Sequence, residues 1–599
     1  MTNLPLRSEV PVNDKWDLTL LYSDENAYRQ DIDALTVLIK KFLSTRPEWT
    51  DYHNIIHNIP EYENILSKMY KISSYAQLNL STDYTDEKLQ NLAGECNLLM
   101  DHAYTELAAF DASINNLSVD DLQACIKEDG KRAFFWRKVL ENKSHTLEPA
   151  VEKALTALQP ALDFPYNLYS LVKQTDLNFH CFTTGGQKLP LDFVTFENKY
   201  QYDPDTERRR AAFAAFSEDL RQVGNTFASA YNARVQNEKI IADLRHYNSI
   251  FDYLLQKQQV TAEMYHRQID IIMRDLAPIM RRYAKLLKRV HGWDKITYAD
   301  LHVPLDPSFT PSVTREEANK YVESALKIMG EDYSKVVHKA LTERWVDFAC
   351  NRGKSTGGFC ATPINCNSFI LLSWNKQLSD VFTLAHELGH ALHFHYVNEN
   401  QTYLGFEPSA YLIEAPSTCN EVLFSFSLLS ESNNSRFRRW VLSTMLSNTY
   451  YHNFVTHLLE AAFQRKVYLA VDRGENLGFN ALCQLMKDTL TEFWGDTVEL
   501  TPGAELTWMR QPHYYMGLYS YTYSAGLTLG TIIAKRIYTE GKAAVDDWKT
   551  MLKAGGTLPP LELARLAKVD LSTAQPLEEV INYLSDIVDE LESLTAEME

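Results

Sequence analysis

The sequence predicts a mainly α-helical protein. Glycine is scarce, with 22 residues in 599, about half the roughly 7% of an average protein. Long stretches place apolar residues at intervals of three and four with charges between them, which is the spacing of amphipathic helices. Only two short regions have strand-like character. A chain of this length can bury a large core.

The first helical region covers residues 15 to about 175, where NAYRQDIDALTVLIKKFL is a typical segment. The residue pattern changes in NFHCFTTGGQKLPLDFVTF, where alternating, β-branched and aromatic residues flank Gly185 and Gly186. This pattern predicts a hairpin or an irregular connection. We therefore place the main domain boundary near residue 200, which divides an N-terminal part, 1–200, from a C-terminal part, 201–599.

Helical patterns resume at Asp205 and continue up to a second strand-like region, GGFCATPINCNSFILLSW, Gly357 to Trp374. Its Asn367 to Trp374 portion is short and apolar and ends before a polar turn, so it predicts a strand. After residue 379 the pattern is helical nearly to the end. The sequence contains no internal repeat of about 20 to 50 residues and no low-complexity linker.

Charge and composition exclude several classes of function. The net charge of −19 argues against a nucleic-acid partner, because phosphate binding requires a basic surface. No apolar run approaches the roughly 20 residues that span a bilayer, and the N-terminus lacks the apolar core of a secretory signal. None of the eight cysteines forms a CxxC pair, so reduced thiols are expected. We expect a cytoplasmic protein that does not bind membranes.

The stretch FTLAHELGHALHFH is the main candidate for chemistry. On a helix, His386 and His390 lie one turn apart on the same face, so that both imidazoles can bind one zinc ion. His393 shares this face but lies roughly 10 Å along the axis from His386, so we expect it behind the ligands or in packing, and His395 points elsewhere. Glu387 lies about 100° around the helix, where it can accept a proton from a zinc-bound water. This is the HExxH arrangement of zinc peptidases.

The third ligand cannot be chosen from spacing. A catalytic zinc ion usually has three protein ligands. The extended motif HExxHxxGxxH is excluded, because the sequence has His393 and Tyr396 where that motif requires glycine and histidine. A carboxylate from a following helix is the other option, and four glutamates are within reach along the sequence: Glu399, Glu407, Glu414 and Glu421.

Two motifs together resemble a known family. HELGHALH followed by YLIEAPSTCNEVL, Tyr411 to Leu423, is similar to the M3 family of oligopeptidases, which includes thimet oligopeptidase and bacterial oligoendopeptidase F. DKWDLTLLYSDENAY, YADLHVPL and GKSTGGFC resemble the oligoendopeptidase F branch, so the resemblance covers nearly the whole chain. It implies a large two-lobed helical shell that encloses a deep substrate channel, with a small β-sheet beside the zinc helix.

The resemblance also implies roles for individual residues. Glu414 corresponds to the third zinc ligand, and Glu421 to a glutamate that supports a zinc histidine. The strand near Asn367 to Trp374 is expected to pair with the substrate backbone, which makes Asn367 and Phe369 candidates for substrate binding.

A further motif, RQPHYYMGLYSYTYSAG, corresponds to the family's region of histidine and tyrosine residues that hydrogen-bond the substrate carbonyl and the oxyanion. His513 fits this role. The spacing from histidine to tyrosine is tighter here than in thimet oligopeptidase. We expect Tyr519 and Tyr523 to take part in catalysis and Tyr521 to bind substrate.

The predicted function is a zinc-dependent endopeptidase that holds one Zn²⁺ per chain and cleaves short oligopeptides, with Glu387 as the base. An alternative is a helical HExxH carboxypeptidase that releases C-terminal residues. A second alternative is a non-catalytic, zinc-containing protein that binds peptides; Glu387 argues against it, because binding alone requires no base.

Overall fold

The computed structural model describes residues 4–599. The described chain is 72% helical with only small sheets, which confirms the predicted fold class; the two-lobed shell and its channel stay predictions. Among these residues, none of the helices combines the length and the apolar character that crossing a bilayer requires.

The first seven helices precede residue 172. They are α1 (Glu25–Ser44), α2 (Tyr52–Thr82), α3 (Glu87–Asn116), α4 (Val119–Glu128), α5 (Ala133–Asn142), α6 (Pro149–Leu162) and α7 (Phe164–Leu171). The three longest begin where an aspartate, Asp24, Asp51 or Asp86, accepts a backbone N–H of the first turn. Such caps satisfy donors that the start of a helix leaves free.

The predicted hairpin is confirmed. Strands β1 (Phe182–Thr184) and β2 (Gln187–Leu189) pair antiparallel across Gly185 and Gly186. The helices that follow extend almost to the C-terminus. They are α8 (Phe193–Asn198), α9 (Thr206–Gln222), α10 (Gly224–Leu244), α11 (Ile250–Gln256), α12 (Ala262–Ile271), α13 (Ala277–Val290), α14 (Arg315–Leu326), α15 (Glu331–Thr342), α16 (Leu378–Asn400), α17 (Ala415–Glu431), α18 (Ser435–Thr444), α19 (His457–Asp472), α20 (Phe479–Trp494), α21 (Tyr521–Glu540), α22 (Lys542–Ala554), α23 (Pro560–Leu566) and α24 (Gln575–Met598).

A second sheet lies between two hydrophobic cores. Its strands are β3 (Val346–Asp347), β4 (Phe359–Ala361) and β5 (Phe369–Leu371), in the order β3-β5-β4. Phe369 and Leu371 pack into the core formed by residues 16–136, and Ile370 and Leu372 pack into the larger core formed by residues 169–594. Because side chains alternate along a strand, β5 is apolar on both faces, which explains its continuous apolar sequence. The predicted boundary between 1–200 and 201–599 stays a prediction.

The position of β5 corrects one prediction. On one side, Ile370 and Leu372 donate their backbone N–H groups to β3 and the residue before it, both at 2.9 Å. On the other side β5 is paired with β4. Both edges are therefore occupied, and the prediction that this strand pairs with a substrate backbone is wrong. Phe369 is fully buried against Trp16, so it cannot bind substrate, and the Asn367 amide donates to the Ser368 carbonyl. The two edge strands of this sheet are β3 and β4.

Candidate active site

Helix α16 carries the HELGH motif in its middle. It begins at Leu378, and the carboxylate of Asp380 in its first turn accepts the backbone N–H of Gln377. Its apolar residues Leu384, Leu388 and Leu392 are fully buried, so the helix is fixed on its core side. The rings of His386 and His390 lie 5.0 Å apart between centroids, on one face as the spacing predicts.

Glu414 completes a group of three potential ligands. It immediately precedes α17, and its Oε2 lies 3.4 Å from Nε2 of His386 and 3.3 Å from Nε2 of His390. The ligand atoms of these three residues all lie within 4.8 Å of one another. Of the other glutamates that spacing left open, Glu421 contacts the opposite nitrogen of His386, and Glu399 pairs with His395.

This geometry fits a zinc ion. Zinc bonds to nitrogen and oxygen are about 2.0–2.1 Å long and tetrahedral, so two ligand atoms should lie about 3.3 Å apart. The separations between Glu414 and the two histidines, 3.4 and 3.3 Å, match this value. Two imidazoles and one carboxylate are also a ligand set that leaves one position open at catalytic zinc sites.

Glycines allow α16, α17 and α21 to approach closely enough to bring Glu414 to the histidines. A Cβ atom on Gly389 would lie 2.4 Å from the carbonyl oxygen of Pro416 and 2.5 Å from Cα of Ser417. A Cβ atom on Gly526 would lie 2.7 Å from Cβ of Glu414. Side chains at these positions would separate the helices, since real Cβ atoms do not approach that closely in packed interiors. The glycine of the HELGH motif is therefore part of the site.

Glu421 lies behind His386. Its Oε1 is 2.6 Å from Nδ1 of His386, and its Oε2 accepts the hydroxyl of Thr449. A carboxylate that accepts a hydrogen bond from Nδ1–H keeps the proton on that nitrogen. This leaves the Nε2 lone pair free for a metal and holds the ring in place. The contact is the one that the resemblance implies for Glu421.

Glu387 faces a cavity of about 570 Å³ together with both histidines, β4 and Tyr523. Its side chain is nearly buried. Burial raises the pKa of Glu387, although the charges of His386 and His390 oppose the shift. A carboxyl group with a raised pKa is better able to hold a proton near neutral pH than an exposed one.

His393 is separate from the ligand group. It is 2% exposed, and its Nδ1 has no hydrogen-bond partner among the described residues. Burial, with a smaller effect from His390, lowers its pKa to about 3. The ring is therefore neutral and packed, which is one of the two positions expected for it.

The tyrosines near His513 differ in their surroundings. Tyr523 lines the cavity, and its ring centroid lies 5.6 Å from that of His513 and 5.5 Å from that of Tyr519. Tyr521 points the other way; it is fully buried, and its hydroxyl donates to Oε1 of Gln258 at 2.7 Å. The prediction that Tyr521 binds substrate is wrong, because the first turn of α21 directs it into the core.

Sequence analysis missed three neighbouring residues, one of which lines the cavity and two of which are buried behind it. Helices α18 and α19 are joined by a π-helical segment, Met445–Thr456, and such segments are frequent at functional sites. It directs His452 into the cavity, and His457 and Glu460 follow on α19. The ring of Tyr523 stacks on His457 with centroids 4.0 Å apart. The histidines of YYHNFVTHLLE were visible in the sequence, but a π-helical segment changes which side chains share a face.

The fold and the site together define a helical protein of the HExxH class. Its sequence matches the profile of peptidase family M3 over residues 199–583, and the profile described as oligopeptidase F over residues 114–179. The chain belongs to peptidase family M3 and is a peptidase, which confirms the resemblance drawn from the motifs.

Relatives match over nearly the full length. Oligopeptidase PepF of Bacillus subtilis is 26% identical over 99% of this chain and 88% of its own. Group B oligopeptidase PepB of Streptococcus agalactiae is 27% identical, and 98% of each chain is covered. Two solved structures share the fold. One, from Chlamydophila abortus, has a TM-score of 0.87 at 24% identity and covers 99% of this chain and 100% of its own. The other, oligoendopeptidase-F from Enterococcus faecium, has a TM-score of 0.73 at 22% identity and covers 95% and 100%.

Proposed function

We propose that this chain is a zinc-dependent endopeptidase that cleaves internal bonds of short oligopeptides. The observation that carries the proposal is the single oxygen of Glu414, which lies 3.4 and 3.3 Å from the Nε2 atoms of His386 and His390. A zinc ion held by these three groups would polarise a carbonyl and activate water.

Glu387 is the proposed base. It is next to a ligand in sequence, is nearly buried, and faces the same cavity as both histidines. Its carboxylate takes a proton from the attacking water and passes it to the leaving amine. The burial that raises its pKa favours this exchange, because a base works best when its pKa approaches the working pH.

His513 and Tyr523 are the proposed donors to the substrate carbonyl. Loss of one such donor typically costs about 2.7–4 kcal/mol of transition-state stabilisation. The rings lie 5.6 Å apart, and Tyr523 reaches the cavity wall. Tyr519 packs beside both rings and is a third candidate.

The edge strand β4 is the proposed support for the substrate backbone. Gly358, Phe359 and Cys360 line the cavity beside Glu387, and β4 is paired on one side only, with β5. An extended peptide can add to such an edge through its main-chain groups. The strand would then align a scissile bond with the base.

A peptide blocked at both ends tests the proposal. We expect wild-type protein to cut it internally, with fragments identified by mass spectrometry, and Glu387→Gln to cut it at least about 10²-fold more slowly. A carboxypeptidase would leave the blocked peptide intact and shorten its free-ended counterpart. A non-catalytic binding protein would cut neither, and near wild-type cleavage by Glu387→Gln would show that Glu387 is not the base.

A further inference from the structure

A buried carboxylate lies behind His513. Glu460 of α19 is 1% exposed. Its Oε2 is 2.9 Å from Nδ1 of His457 and 3.2 Å from Nδ1 of His513, and it accepts the hydroxyl of Ser520 at 3.0 Å. Burial alone would raise the pKa of Glu460, but the charges and hydrogen bonds of the two histidines lower it well below the usual range. The carboxylate is therefore ionised.

The distances around Glu460 are those of hydrogen bonds and not those between the ligands of a second metal ion. His457, Glu460 and His513 lie close enough to hold an ion. However, the separations of 2.9 and 3.2 Å fall within the range of N–H···O bonds, and the same oxygen also accepts Ser520. The corresponding separations around Glu414, 3.4 and 3.3 Å, exceed that range.

The two rings bound to Glu460 differ at their second nitrogen. Nε2 of His457 lies 3.0 Å from Nε2 of His452, whose pKa is lowered to about 3 by burial first and then by the charge of His457. His452 is therefore neutral, and a single hydrogen bond joins its Nε2 to Nε2 of His457. Nε2 of His513 has no hydrogen-bond partner within residues 4–599, and its ring is partly exposed beside Tyr523.

We propose that Glu460 is a positioning residue that holds His513 with both ring nitrogens protonated, so that Nε2–H donates to the substrate carbonyl. The inference rests on the proposed function, in which His513 contacts that carbonyl. A neutral imidazole carries one proton. If that proton is on Nδ1 and is donated in a hydrogen bond to Glu460, Nε2 has only a lone pair and cannot act as a donor. Donation from Nε2 therefore requires a ring that carries a proton on each nitrogen, and Glu460 accepts the hydrogen bond from the one on Nδ1. Charge-assisted hydrogen bonds are about twice as strong as neutral ones.

The test is a double-mutant cycle on kcat between Glu460→Gln and His513→Ala. We expect His513→Ala to lower kcat about 10²–10³-fold, the usual loss for one such donor. Glu460→Gln should lower it about 10–100-fold, since the donor remains but loses its charge, and should change KM less than about threefold. Because both act through one group, the double variant should match His513→Ala within about threefold.

Controls separate this role from a structural one. Glu238→Gln removes another buried carboxylate, which bonds Tyr468 of α19, and should leave kcat within about threefold. Glu460→Asp keeps the charge and should retain at least about threefold more kcat than Glu460→Gln, which also serves if the glutamine variant does not fold. Melting temperature and zinc content are measured for each variant.

Three outcomes would overturn the inference: unchanged kcat in Glu460→Gln, losses that multiply in the double variant, or a second zinc ion that disappears with Glu460. The proposed function fails separately. Unchanged kcat in His513→Ala would remove the donor role itself together with the inference, and a wild-type protein that cuts no peptide would remove the peptidase mechanism.

Discussion

Nδ1 of His386 lies 2.6 Å from Oε1 of Glu421, so the ring is held from behind while its Nε2 faces Glu414. Glu414, directly before α17, already approaches the histidines of α16. The contact of Glu421 is a second connection between these two parts of the chain. Glu414 and Glu421 therefore contact opposite sides of the ring: Glu414 lies near Nε2, the nitrogen proposed to bind zinc, and Glu421 lies against Nδ1.

The first prediction concerns this contact. Glu421→Gln should raise the dissociation constant for zinc about 10–100-fold, the usual effect of losing a carboxylate behind a ligand. Competition with a chelator measures it. Glu399→Gln is the matched control on α16, because Glu399 is exposed and forms an ion pair with His395; the zinc affinity of this variant should equal that of the wild type. Equal zinc affinity in wild type and Glu421→Gln would contradict the assignment.

The second prediction concerns helix approach. Gly389→Ala should lower the free energy of unfolding by about 1–3 kcal/mol or more, because the added Cβ would overlap the backbone of α17, and should weaken zinc binding. Thermal melts and zinc titration measure both effects. Gly94→Ala is the control: this exposed helical glycine has nothing within 4 Å of an added Cβ, so stability should rise by about 0.5–1 kcal/mol. Wild-type zinc affinity in Gly389→Ala would refute the close-packing argument.

The third prediction separates the tyrosines. Tyr523→Phe should lower kcat about 10²–10³-fold, because it removes a donor from the cavity wall. Tyr521→Phe should keep kcat within about threefold and cost about 1 kcal/mol of stability, since it loses a buried hydrogen bond to Gln258. Steady-state kinetics and thermal melts distinguish them. A large loss of kcat in Tyr521→Phe alone would reverse the two roles.

The fourth prediction concerns pH. Burial, and then the charge of Arg510, lowers the pKa of His302 to about 4, below the roughly 6.5 of an unfolded histidine. The unfolded chain therefore takes up this proton first. Stability due to the neutral ring is complete above about pH 6.5, falls as the pH drops toward 4, and changes by at most about 3 kcal/mol. Denaturant unfolding of His302→Gln at pH 7 and 5 should show a smaller decrease than wild type. Equal decreases in the free energy of unfolding of the two proteins between pH 7 and 5 would contradict this role of His302.

Much of the site could be predicted from the sequence because it depends on local periodicity. An i,i+4 pair of histidines on an amphipathic helix shares a face whatever surrounds it, and the structure brings His386 and His390 together in this way. Glu414 required the family resemblance, because its approach depends on the tertiary contact between α16 and α17 at Gly389.

The wrong predictions concern strand pairing and the direction of side chains, which local sequence patterns do not determine. Phe369 lies on a strand as expected, but the sequence cannot tell that β3 and β4 occupy both edges of β5. Tyr521 and Tyr523 are two residues apart, and only the start of α21 decides which one faces the cavity. Glu460 was missed because its contact with His513 joins α19 to the segment before α21, 53 residues away along the chain.

The most direct test of the account is the zinc content of purified wild-type, Glu414→Ala and Glu387→Gln proteins, measured by elemental analysis together with peptide hydrolysis. We predict one zinc ion per chain in the wild type and in Glu387→Gln, with hydrolysis lost in the latter, and strongly reduced zinc in Glu414→Ala. Full zinc retention by Glu414→Ala, or zinc loss in Glu387→Gln, would contradict the assignment of ligand and base.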